Sequence, residues 1–336
     1  MDARNQSAVA EFILLGFNNL RRWQAFFFFT FFLLAYALTI MANATIIATV
    51  WKDSRLHTPM YFFLSNFSFM EIWYTTVTVP KMLSSFMVER TTISVSGCII
   101  QFYVFFCLGT TECMFLGVMA YDRYIAICYP LRYSTLMNKK VCTGLAVGSW
   151  VSGFIGHLPL TISTTQFFFC GPNKINHFYC DLAPVLNLSC TNTSVSEMIF
   201  FTFAWVIILC SFLLTMMSYC YIISTICRMP STTGRQRAFS TCTSHLTVVT
   251  IFYSTVTFMY VRPTVHYTFQ ADKVVSVFYC VVTPLLNPVI YNLRNKEMKE
   301  ALRRVLCSRR MIIGRRLDSL TGIVRRKGGG FWMASM

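Results

Sequence analysis

The sequence predicts an all-α membrane protein, a bundle of seven spanning helices followed by a short amphipathic eighth helix. Three observations predict it. Hydrophobic residues make up 55% of the chain and charged residues only 12%, against about 25% charged in an ordinary soluble domain. The apolar residues fall into seven long blocks, each near the ~20 residues that a helix needs to cross a hydrocarbon core of ~30 Å. Lys and Arg are shared unequally between the two sets of connecting segments, as the charge bias of membrane proteins requires.

The first block, Ala25 to Val50, contains no charge. It is too long for the apolar core of a cleaved signal peptide, and no small-residue cleavage site follows it. Six more blocks lie at about 58–80, 98–121, 141–165, 198–227, 239–261 and 274–291. The fourth and sixth are expected to be the weakest. They are rich in Ser, Thr and Gly, which let membrane helices approach closely and hydrogen-bond across an interface. This divides the chain into an extracellular N-terminus (1–24), a seven-helix domain (25–291), an amphipathic juxtamembrane helix (292–307) and a basic cytoplasmic tail (308–336).

With the N-terminus outside, 21 of the 29 Lys and Arg residues lie on the cytoplasmic side, which favours that orientation at the plasma membrane. The net charge of +16 is spread over short segments between apolar blocks. It therefore argues for contact with anionic membrane lipids and not for nucleic-acid binding. Asn5-Gln6-Ser7 is a glycosylation sequon on the outer side. Asn43-Ala44-Thr45 and Asn66-Phe67-Ser68 match the same pattern inside spans.

Most of the 14 cysteines sit within spans, where Cys behaves as a small hydrophobe. Cys98, Cys170, Cys180 and Cys190 fall on the outer side, where oxidising conditions favour disulfides. Three pairings are open. The expected one joins Cys98 to Cys180, pinning the loop to the third helix, and closes the loop on itself through Cys170 and Cys190. Cys307, beyond the last span, is a candidate for palmitoylation.

The third span ends in Met119-Ala120-Tyr121-Asp122-Arg123-Tyr124-Ile125-Ala126-Ile127-Cys128-Tyr129-Pro130-Leu131. An Arg at this depth is expensive unless paired, and Asp122 can pair with it, so the two form a candidate latch. Pro284-Leu285-Leu286-Asn287-Pro288-Val289-Ile290-Tyr291 ends the seventh span. Pro288 removes a backbone donor there, and Asn287 is expected to satisfy the groups it frees. His57 to Ser65 opens the second span, Trp150 lies in the fourth, and Arg237 to His245 opens the sixth.

Taken together over roughly residues 10–305, these stretches resemble the rhodopsin-like G-protein-coupled receptors and, within them, the odorant (olfactory) receptors. The resemblance implies a small-molecule odorant as ligand, in an outward-facing pocket, and a stimulatory heterotrimeric G protein of the olfactory type at the inner face, raising cyclic AMP. It also implies that Arg123 faces that G protein in the active state, with Tyr124, Tyr219, His245 and Tyr291 around it. The sequence departs from the family pattern at Ala42-Asn43, where Gly-Asn is usual, and in a C-terminal extension. As in the odorant branch, the sixth span lacks the Trp and Pro of most rhodopsin-like receptors, and Phe252-Tyr253 stands at that level.

Two acids lie deep inside spans, Glu71 and Glu112. Each charged carboxylate costs about 2.5–3.5 kcal/mol at a helix centre, so the pair is expected to face each other and share one Na⁺ or one proton. Glu71 occupies the position that resembles the sodium-binding acid of the wider family. No other cofactor is expected.

For the pocket, helical spacing nominates Phe102, Phe105, Phe106, Gly109 and Thr110 on the third span. It adds Tyr253, Val256, Thr257 and Tyr260 on the sixth, Phe203 and Ile207 on the fifth, and Val277 and Cys280 on the seventh. The absence of a charge at that depth suggests a neutral, volatile, mostly hydrophobic ligand, although Arg262 and Lys273 at the rim could steer an acid. An ion-coupled transporter or channel is the rival reading, since midplane carboxylates mark ion paths. Against it, the sequence shows no inverted repeat and no pair of matching broken helices. No Gly-x-Ser-x-Gly, His-Glu-x-x-His or phosphate-loop motif suggests an enzyme. Asn295 to Leu306 alternates charged and apolar residues like a helix lying on a membrane surface.

Overall fold

Long apolar runs without internal hydrogen-bond partners other than their own backbone can only be helical in lipid, and the computed structural model, which describes residues 9–17, 20–170, 173–260, 269–294 and 297–305, is built mainly of such helices. The spans are Arg22–Lys52, Pro59–Met87, Val95–Cys128, Lys139–Thr165, Ser194–Arg228, Thr232–Tyr260, and a seventh built from Phe269–Val277, a π-helical turn Phe278–Val282, and Thr283–Arg294. Among the described residues five of these helices are long and apolar enough to cross a membrane by length and composition alone. The second and sixth fall short of that measure. The fourth, expected to be weak, meets it. The second does not, because Glu71, Lys81 and a run of Thr and Ser dilute its apolar surface.

Local chemistry sets the helix starts. Pro59 occupies the first turn of the second span, where its missing N–H costs nothing. The hydroxyl of Ser94 accepts from Gly97 N–H at 3.1 Å and caps the third span, and the carboxamide of Asn138 does the same for Val141 at the start of the fourth. The third span is the most buried, and it packs against the second, fourth, fifth and sixth. Its approach to the fourth depends on Gly153, where an added Cβ would collide with the Cys107 carbonyl and the Thr111 hydroxyl. This is the small-residue contact expected between membrane helices.

One end of the bundle carries structure that the sequence did not announce. β1 (Glu11–Leu14) pairs antiparallel with β2 (Thr91–Ser94), Glu11 opposite Ser94 and Leu14 opposite Thr91. It also pairs in parallel with β3 (Lys174–Ile175) through Ile13 and Leu14. These strands are short, and their partners are distant in sequence, so no local alternation reveals them. Phe12 and Leu14 are buried beneath the sheet, which ties the start of the chain to the loop between the fourth and fifth spans.

At the opposite end, residues 297–305 form a further helix. Met298 and Ala301 are buried against the core, and Tyr61 donates its hydroxyl to Glu297 Oε2 at 2.8 Å. Arg304 reaches Asp53 in the first connecting loop, its Nε donating to Oδ2 at 2.9 Å. Burial alone would raise the Asp53 carboxyl, but hydrogen bonds from Arg304 and the Arg55 backbone, with their charges, hold it below its ordinary value. Asn5, Arg262, Cys307 and the basic tail lie outside the described residues.

Candidate functional site

Beneath the sheet, the loop segment His177-Phe178-Tyr179 wedges into the bundle. Tyr179 is fully buried and its ring centroid lies 4.9 Å from that of Phe105. The structure pairs Cys98 with Cys180 at a Cα separation of 5.5 Å, and Cys170 with Cys190 at 5.9 Å. Gln101 spans the junction, donating to the Val77 carbonyl at 2.8 Å and accepting from Cys180 N–H at 3.0 Å. Lys273 closes the lid: its ammonium donates to the Gly16 carbonyl at 2.6 Å and to Asn176 Oδ1 at 2.8 Å. The rim charge expected at Lys273 is thus engaged by two neutral loop oxygens. His177, buried in this lid, is pushed down to about 3 by burial and by the Lys273 ammonium.

Under the lid lies a cavity of about 40 Å³, lined by Phe106, Gly109, Thr110, Cys113, His157, Phe200, Ala204, Ile207, Ile208, Phe252, Val256 and Tyr279. Of the residues that spacing nominated, Phe106, Gly109, Thr110, Ile207 and Val256 are in its wall. The others, Tyr260 aside, are elsewhere, each for a packing reason. Phe102 stacks behind Phe106 and Phe200, and Phe105 belongs to the cluster of Tyr74, Tyr179 and Tyr279. Phe203 packs edge-on against His157 at 5.1 Å. The Tyr253 hydroxyl donates to Ser211 at 2.8 Å, which turns it toward the fifth span. Thr257 is exposed on the outer face of its helix. Val277 packs on the core and Cys280 lies against Thr78. The side chain of Tyr260 lies outside the described residues. Sequence reasoning missed His157 altogether, since the fourth span offered no periodic pattern pointing to the cavity. It also missed Tyr279, which the π-helical turn rotates inward.

Deeper in the bundle, Glu71 is fully buried. Asn287 Nδ2 donates to its Oε1 at 2.5 Å. This corrects the expectation that Asn287 repairs the backbone at Pro288, because a buried carboxylate is a stronger acceptor than a helix carbonyl. Glu112 lies within electrostatic reach of Glu71. Glu71 Oε2, Asn287 Oδ1 and Ser68 Oγ are buried with no hydrogen-bond partner among the described residues. Buried polar atoms in that state call for an ion, a proton or water.

At the far end, Asp122 is buried and holds Arg123. Arg123 Nε donates to Asp122 Oδ2 at 3.0 Å, and Tyr133, from the loop after the third span, donates its hydroxyl to Asp122 Oδ1 at 2.8 Å. Tyr133 is a second partner that motif reading did not supply. Tyr219 and His245 Nδ1 share a hydrogen bond of 2.7 Å, joining the fifth span to the sixth. Tyr291 packs edge-on against Phe67 at 6.2 Å, and its buried hydroxyl has no partner among the described residues. Tyr124 stacks near Tyr221 and Tyr129. Pro288 lies within the last helical segment.

Comparison with known proteins agrees with this architecture. The family description "Olfactory receptor" matches residues 32–309. Olfactory receptor 6B1 of Homo sapiens is 52% identical over 305 residues, covering 91% of this chain and 97% of the relative. Olfactory receptor 11L1 of Homo sapiens is 50% identical over 307 residues, 91% of this chain and 95% of the relative. Olfactory receptor 6B9 of Mus musculus is 47% identical over 306 residues, 91% and 96%.

Proposed function

Because this chain belongs to the olfactory receptor family, and is a receptor and not an enzyme, we propose that it binds a small, mostly hydrophobic odorant in the cavity beneath the lid and activates a stimulatory, olfactory-type heterotrimeric G protein at the arginine end, raising cyclic AMP. The cavity end, with the N-terminus, faces the outside of the plasma membrane, and the arginine end faces the cytoplasm, as the Lys and Arg distribution favours.

One observation carries the reading. The sixth span supplies Phe252 and Val256 to the cavity wall and, two turns away, His245 to the contact with Tyr219. A ligand that shifts this helix at the cavity therefore bears directly on the cluster around Arg123. A ligand can move such an equilibrium only by its differential affinity for the two states, and a helix shared by both sites is the element through which that difference would reach the arginine end.

The test is a cyclic-AMP measurement on cells carrying the full chain and an olfactory-type G protein, across an odorant panel. Wild type is expected to respond and Arg123→Ala to be silent at equal surface amount. An Arg123→Ala variant that responds like wild type would end the reading.

The polar centre supports a second proposal, that Glu71, with Asn287 and Ser68 nearby and Glu112 across from it, takes up one Na⁺. The unpartnered oxygens named above are hard, anionic or neutral donors suited to such an ion. Its charge would offset two carboxylates that insertion otherwise penalises. A sodium-dependent agonist response in wild type should vanish in Glu112→Gln. Identical sodium profiles in the two proteins would leave a shared proton as the answer.

A further inference from the structure

Within the spans, Ser and Thr hydroxyls usually turn back on their own helix. Thr39, Thr75, Thr111, Thr161, Thr164, Thr215 and Ser218 all donate to a carbonyl one turn earlier. This satisfies the hydroxyl locally and removes it from recognition. Thr110 breaks the habit. Its hydroxyl meets His157 Nε2 at 2.8 Å across the interface between the third and fourth spans, and both residues form part of the wall of the cavity.

The imidazole is held in place from three sides. Phe203 packs edge-on at 5.1 Å, Phe106 lies at 5.9 Å and Phe200 at 6.3 Å. Its orientation, and with it that of the Thr110 hydroxyl, is therefore set before any ligand arrives. Apart from the Tyr279 hydroxyl near Gly109, the remaining wall is Phe, Ile, Val, Ala, Cys and Gly.

We propose that the Thr110–His157 pair is the polar anchor of the odorant cavity, and that it selects compact molecules carrying one oxygen function, an alcohol, aldehyde or ketone, on an apolar body. The inference rests on the odorant-receptor reading above and specifies its ligand class. The chemistry follows from the inventory of the two groups. A hydroxyl offers one donor and two lone pairs, and a neutral imidazole offers one donor and one acceptor. When Nε2 accepts from Thr110, the threonine oxygen keeps a lone pair for an alcohol proton. When Nε2–H donates to Thr110, the threonine proton is free for a carbonyl. One pair thus serves either oxygen function by exchanging tautomers, while an alkane leaves its spare lone pair or proton unmet in an apolar surround. A site with buried polar groups rejects a ligand that lacks the matching atom more strongly than it rejects a changed carbon count. The small volume adds a second condition. Anything larger than a few heavy atoms must displace Phe106, Ile207 or Val256 side chains, so short or branched bodies are favoured over long ones.

The experiment uses the full chain in cells with a cyclic-AMP reporter and surface labelling. Its probes are matched six- to eight-carbon alkanes, alcohols, aldehydes and ketones. Wild type is expected to respond to one or more oxygenated series at lower concentration than to the alkanes. Thr110→Val and His157→Phe should weaken the oxygenated probes by about tenfold to a hundredfold without weakening the alkanes. His157→Gln, which keeps a donor and an acceptor, should recover part of the loss. Equal shifts for alkanes and oxygenated probes, or no shift in either variant at normal surface amount, would overturn the anchor. A wild type that prefers alkanes would also overturn it, without touching the receptor reading. Silence of a surface-displayed wild type to every probe would overturn the anchor and count against the odorant reading beneath it.

Discussion

The two ends of the bundle are held by different kinds of bond. At the lidded end the main ties are covalent or run through backbone, two disulfides and a three-stranded sheet that recruits the start of the chain, with a lysine ammonium held by two loop oxygens beside them. At the arginine end they are single side-chain contacts, Asp122 to Arg123 and Tyr133, Tyr219 to His245, with a buried Tyr291 hydroxyl that has no described partner. The difference teaches how one fold can keep a chamber and still switch. A covalently braced end preserves the shape of the cavity, while an end held by exchangeable hydrogen bonds can trade partners at a cost of about a kcal/mol or two each.

The comparison breaks first at the disulfide. Cys98→Ala combined with Cys180→Ala removes a link between positions 82 residues apart, worth about 2–5 kcal/mol in small disulfide-bonded domains. Surface display of folded receptor is expected to collapse. Normal display with a normal odorant response would mean that the sheet and the packed aromatics brace this end unaided.

A smaller effect tests the other end. Tyr133→Phe removes one hydrogen bond from a buried carboxylate, about 1.5 kcal/mol, or roughly tenfold in the balance between latched and released Arg123. Basal cyclic AMP should rise while the maximal response stays. An unchanged basal level would show that Tyr133 contributes nothing to the latch.

The smallest effect sharpens the picture of the lid. Folded His177 sits near 3, whereas an opened loop would titrate near the ordinary ~6.5. The native lid therefore binds fewer protons than the open one, so its stability is complete above the ordinary value and drains as pH falls toward the folded one. Hydrogen exchange of residues 174–180 should accelerate about threefold between pH 7 and 6 beyond the intrinsic pH effect. His177→Asn should remove that excess, and an equal excess in both proteins would exclude the histidine.

Much of this molecule is legible along the chain because its causes are local. In lipid each span must satisfy its own backbone, so a run of apolar residues such as Ala25 to Val50 announces a helix with no reference to its neighbours. Asp122, Arg123 and Tyr124 are adjacent in sequence, and a charge at membrane depth is conspicuous wherever it occurs. The pocket was only half legible. Spacing put Phe106, Gly109 and Thr110 on one face of the third helix, but the same spacing on the sixth gave Thr257 along with Val256, and nothing local separates the face that meets a cavity from the face that meets lipid.

The sequence by itself therefore determined the helices, the acids and cations they bury, and the family to which the chain belongs. Only the tertiary structure decided which residues meet. It brought His157 to Thr110, Asn287 to Glu71, Tyr133 to Asp122, and residues 11–14 to a loop more than 150 positions away in the chain. The physical reason is that helix formation depends on hydrogen bonds four residues apart, while a cavity depends on the rotation and tilt of several helices together. Those are set by close contacts, such as the one that Gly153 permits, whose partners lie in another helix.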